Sequence, residues 1–217
     1  AFYKKVLMIV VPMIIQNLVT NFVSLLDNIM VGQVGTEQMS GVAIVNQLMF
    51  VYYIAIFGAV SGAGIFGTQF YGKGDYKGQR HAFRFKMYAC IVFALVTIVL
   101  FITAGTPLIS LYLNDTGGVG DIQKALEFGQ GYLRIMIIGI IPFAIGQAYI
   151  STVRETGETF VPMLASIAAV FINLVLDYML IFGKFGAPEL GVEGAAAATV
   201  VARFVELMIV VIWTHVN

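Results

Sequence analysis

Cysteine and tryptophan occur once each in these 217 residues, and charged side chains make up only 11%. Cys90 lies inside an apolar run, which excludes a disulfide framework and a metal cluster built on thiolates. So little charge cannot coat a soluble globule of this size. Lys plus Arg and Asp plus Glu number 12 each, so no basic field exists to hold a phosphate backbone, and nucleic acid is not an expected partner. No short tandem repeat, low-complexity tract or linker divides the chain, so one bundle over residues 1–217 is expected. Its start, Ala1 without an initiator Met, reads as a processing or expression boundary. The first apolar run contains Asn, Gln and Asp, unlike the short centre of a signal peptide.

What the chain has instead is apolar side chain, 59% of residues, with a mean hydropathy of +0.91. Apolar runs recur at Val6–Val31, Val42–Phe70, Met87–Ala104, Tyr132–Val153, Phe160–Phe182 and Ala195–Trp213. Each is near or above the ~20 residues a bilayer requires. The expectation is an all-α membrane protein, a bundle of six transmembrane helices surrounded by lipid. Pro12 is a bending point in the first. With the amino terminus in the cytoplasm, Lys4, Lys5, Lys73, Lys77, Arg80, Arg84, Lys86 and Arg154 fall at cytoplasmic ends, against Lys124 and Lys184 outside. Both termini are then cytoplasmic. The YGKGDYKGQRHAFR stretch reads as the topogenic loop, with anionic-lipid contact as a secondary role. GTPLISLYLNDTGGVGDIQKALEFG reads as a segment lying along the outer surface.

Ionisable groups inside a bilayer are costly, so Asp27, Asp177, Arg203 and Glu206 are the first candidates for function. Asp27 precedes Gly32, Asp177 precedes Gly183 and Thr199 follows Gly194 by five or six residues. At 1.5 Å per residue, all three lie roughly 7–9 Å beneath the outer surface. Asn173 and Asp177 share a helix face, as do Ala195 and Thr199. Two carboxylates, an amide and a hydroxyl at one depth suit a small cation, Na+ or H+. On the first helix, Gln16, Thr20, Ser24 and Asp27 form a polar strip. It reads as a cavity wall for a polar or cationic substrate, or equally as hydrogen bonding between packed helices. Arg203 and Glu206, three apart, are expected to neutralise each other.

Pro12 with LLDNIMVGQVG, then GTQFYGKGD, NLVLDYMLIFG and GVEGAAAATVVAR, resemble in order and topology the corresponding parts of the multidrug and toxic compound extrusion (MATE) family, over essentially the whole chain. The specific set is the acid near the outer end of the first helix, Asn and Asp four apart in the fifth, and GxxGAAxAT in the sixth. This resemblance implies the amino-terminal lobe of a twelve-helix, two-lobe transporter in a bacterial or archaeal inner membrane. Such a transporter exports cationic amphipathic drugs by antiport against Na+ or H+, with no further cofactor and no enzymatic step. In sodium-binding members, residues matching Asp27, Asn173, Asp177, Thr199 and the backbone carbonyl of Ala195 hold the cation. Pro12 matches a proline near which the first helix bends in some members. Three rivals remain: an ion-binding half-module inactive alone, a lipid-linked oligosaccharide flippase, and an intramembrane aspartyl protease. The protease would need YD and GxGD patterns, whereas the aspartates here sit in LLDNIM and LVLDYM.

Overall fold

The structure is a computed structural model and describes residues 2–115 and 121–216. The described residues are helical almost throughout: α1 (Phe2–Val34), α2 (Thr36–Gly72), α3 (Tyr76–Asp115), α4 (Ile122–Ile138), α5 (Ile140–Glu155), α6 (Phe160–Phe182) and α7 (Val192–Val216). Five of these are long and apolar enough to cross a membrane singly. The pair α4 and α5, bent by 47° at their break, brings the number to six when counted as one broken span.

The bend follows from the sequence. Pro142 has no N–H to offer the carbonyl one turn back, so the ladder breaks at Gly139. Tyr52 of α2 donates its hydroxyl to the Ile140 carbonyl at 2.8 Å, supplying a partner beside the break. By contrast, α1 continues as one helix through Pro12.

Connections are shorter, and helices longer, than the apolar runs imply. Residues read as a topogenic loop form the end of α2, a turn at Lys73–Asp75 and the start of α3, where Asp75 Oδ1 accepts the Gly78 N–H at 2.9 Å. The segment read as surface-lying is divided between α3, which extends through Pro107 to Asp115, and α4, capped by Asp121. Its residues 116–120 lie outside those described. Helices of this length project past the hydrocarbon layer, so polar residues continue them instead of forming loops.

α2 packs on α3, α4 and α5, and α7 on α4, α5 and α6, while α1 rests chiefly on α6. Val45, Met49, Tyr52, Ile56 and Val60, spaced three or four apart, carry the buried stripe of α2. Small residues let backbones meet elsewhere: a Cβ at Gly194 of α7 would stand 2.7 Å from the Leu180 carbonyl of α6. Phe57, Val51, Tyr88 and Ile102 point outward, as lipid-facing side chains must. Lys86, counted above among the end charges, is instead fully buried, with 0% exposure.

Candidate cation site

Asp27 lies on α1, Asn173 and Asp177 on α6, and Ala195 and Thr199 on α7. These helices are neighbours, α6 packing against both α1 and α7. Gly183, in the left-handed conformation at φ 63°, ends α6, and the Leu190 N–H returns to the Leu180 carbonyl at 2.8 Å. This turn holds helices α6 and α7 side by side.

Asp177 has 0% exposure, and neither carboxylate oxygen has a hydrogen-bond partner. Asp27 Oδ1 and Asn173 Nδ2 are likewise buried and unpartnered. Asp177 is desolvated and feels the charge of Asp27, and both act on the buried Tyr132 of α4. Ala195 is buried and Thr199 half-buried, its hydroxyl forming no hydrogen bond among the described residues. A buried carboxylate without a donor is costly, and two that repel are costlier, so this group favours an added cation. Half a turn of the Asn173 amide directs its oxygen inward. With that oxygen inward, the side chains of Asp27, Asn173, Asp177 and Thr199 would offer oxygen alone, the chemistry of a hard monovalent ion or a proton.

The remaining polar residues sort differently. Gln16 uses its whole amide in hydrogen bonds: Arg154 Nη2 donates to its Oε1 at 2.7 Å, and its Nε2 donates to Ser166 Oγ at 2.6 Å. Ser166 donates in turn to Glu206. A relay thus runs from Arg154 on α5 through α1 and α6 to Glu206 on α7. Thr20 is half-buried and Ser24 exposed on α1, and Pro12 lies further toward its start.

Arg203 and Glu206 do not pair. Glu206 is engaged by Ser166, while Arg203 donates to the Tyr53 hydroxyl, with its guanidinium 5.5 Å from the Tyr53 ring and 5.3 Å from that of Phe143. The long arginine reaches past its own helix to aromatic faces beside Gly139, which the shorter glutamate cannot. Sequence reasoning also missed Tyr132, whose hydroxyl donates to Asn46 Oδ1 at 3.3 Å. A tyrosine within an apolar run gives no local signal of the α2 asparagine it will meet.

Comparison with known proteins agrees with this architecture. The profile of the MatE family matches residues 12–179. The probable multidrug resistance protein NorM of Thermotoga maritima is 32% identical over 203 residues, 93% of this chain and 42% of its own length. Its Bacillus subtilis counterpart is 31% identical over 198 residues, 90% and 42% respectively. Among solved structures, a MATE in the straight conformation superposes with a TM-score of 0.81 at 22% identity, covering 96% of this chain and 45% of that one. A MOP superfamily transporter from Pyrococcus furiosus gives 0.79 at 23%, covering 98% and 45%. The chain thus spans less than half the length of the curated relatives it matches. MATE proteins are transporters and not enzymes, which sets the protease aside. With the profile matching most of its length and a bundle of membrane-crossing helices, this chain belongs to the MATE family of multi-pass membrane transporters.

Proposed function

We propose that this chain is the amino-terminal lobe of a multidrug antiporter, exporting cationic amphipathic compounds in exchange for Na+ or H+. Asp27, Asn173, Asp177, Thr199 and the Ala195 carbonyl would hold the ion. The observation that carries the proposal is Asp177, fully buried with both oxygens unpartnered and within electrostatic reach of Asp27 on the neighbouring α1. The ion is cargo here, arriving and leaving once per cycle. Cation binding neutralises the pair and favours one global state, and a cationic drug favours the other. The coupling is this difference in affinity.

Transport requires a second six-helix lobe. Asn17, Asn21, Ser24 and Asn28 leave polar groups exposed along α1, a poor surface for lipid but a suitable wall for a wet cavity between lobes. In membranes, both termini and the Lys73–Arg84 segment would face the cytoplasm.

The test is competition between ion and drug in the purified, reconstituted transporter with both lobes present. Binding of a fluorescent cationic dye, followed by anisotropy, should weaken as sodium is added or pH lowered. Dye affinity that ignores both would contradict the proposed antagonism.

A further inference from the structure

A cavity of about 550 Å³ opens between the start of α3 and the end of α7, floored by α5. α3 and α7 each pack on α5, and the cavity occupies the space between them, away from the α1–α6 face that carries Asp27 and Asp177. Its walls include Tyr71, Tyr76, Phe83, Tyr149 and Trp213, with Arg80 among them. No carboxylate lines it among the described residues. Arg80 forms no hydrogen bond or ion pair among the described residues, and the nearest acid in sequence, Asp75 in the turn before α3, accepts the Gly78 N–H.

The surroundings match the headgroup layer of a bilayer. Lys73, Lys77 and Arg84 stand exposed nearby, adding positive potential. Tyrosine and tryptophan favour this interfacial depth because one end of each ring is apolar and the other polar. Toward the membrane interior, exposed Tyr88, Val92 and Val96 of α3 and Met208 and Ile212 of α7 provide apolar flanks for acyl chains. A guanidinium recognises phosphate oxygens through its fork of donors. A cationic ligand would meet Arg80 with no carboxylate to offset it.

We propose that this cavity is a binding site for the phosphodiester headgroup of an anionic glycerophospholipid, with Arg80 as its phosphate ligand. The site is separate from the coupling-ion residues and does not depend on their assignment.

Trp213 is the only tryptophan in the chain, so it reports on the cavity directly. The chain is reconstituted in zwitterionic vesicles containing a minor fraction of brominated phosphatidylglycerol or, separately, brominated phosphatidylcholine. Bromine on the acyl chains quenches Trp213 by contact. The anionic lipid should quench with about fivefold greater relative affinity, the value expected of one cationic side chain at the membrane surface. Arg80→Gln should remove most of that preference, leaving the small remainder that the exposed Lys73, Lys77 and Arg84 supply. Arg84→Gln, one turn further along α3 and outside the cavity, should keep the preference. Equal quenching by both lipids in the wild type, or a preference undiminished in Arg80→Gln, overturns the proposal. Reversal of the phosphatidylglycerol quenching by soluble glycerol phosphate would assign the site to a free phosphate and overturn the lipid as its occupant.

Discussion

Asp177→Asn should remove the stabilisation that sodium or protons give the folded chain, while leaving it folded. The wild-type side chain has two buried oxygens with no donor and a like charge nearby. Its folded state therefore gains from any bound cation by mass action, about 2.7 kcal/mol at a concentration a hundredfold above Kd. Asparagine has nearly the same shape, carries no charge and relieves the repulsion from Asp27. The cation-free variant should thus be at least as stable as the cation-free wild type. Unfolding in detergent, followed against sodium concentration, checks both parts. A variant whose Tm still climbs with sodium as the wild type's does would mean that the ion binds elsewhere.

The largest loss of stability should come from a different buried charge. Lys86 Nζ donates to Glu155 Oε1 at 2.5 Å, Thr152 at 2.7 Å and Ser151 at 3.4 Å, using its three protons. The two side chains are 0% and 8% exposed. α2 makes room for the carboxylate with Gly64 and Gly67; a Cβ at Gly64 would lie 2.9 Å from Glu155 Oε1. Glu155→Ala leaves the ammonium buried without a counter-charge and should cost about 3–5 kcal/mol, a large share of the 5–15 kcal/mol that holds a typical domain. Removing both charges, as Lys86→Met with Glu155→Leu, should restore most of the loss, since a buried ion pair is worth little against apolar groups of similar volume. Denaturant unfolding of the single and double variants decides it. If Glu155→Ala costs less than about 1 kcal/mol, the pair is hydrated and belongs to the surface.

How far the sequence could be read depended on whether the signal was local. Bilayer-length apolar runs report membrane crossings because lipid demands them residue by residue, and a proline such as Pro142 withholds a ladder hydrogen bond wherever it falls inside a helix. The faces shared by Asn173 with Asp177, and by Ala195 with Thr199, follow from helix periodicity alone. Contacts between distant segments left no such trace. Nothing in the sequence around Gln16 announces Arg154 or Ser166, nor does Lys86 announce Glu155. Arg203 and Glu206 are the instructive case. Their spacing is correct for a pair, yet each finds its partner on another helix, because tertiary neighbours outcompete a weak i, i+3 attraction. Helix ends were hidden for a related reason: polar residues that look like loops continue helices beyond the hydrocarbon layer.

The central claim is that Asp27 and Asp177 serve one cation together. A double-mutant cycle on sodium affinity, measured calorimetrically with Asp27→Asn, Asp177→Asn and the combined variant, addresses it directly. If both carboxylates hold the same ion, the losses are far from additive, and the double variant binds scarcely more weakly than either single one. Two losses that simply add, or sodium binding that survives both substitutions, would contradict the shared site.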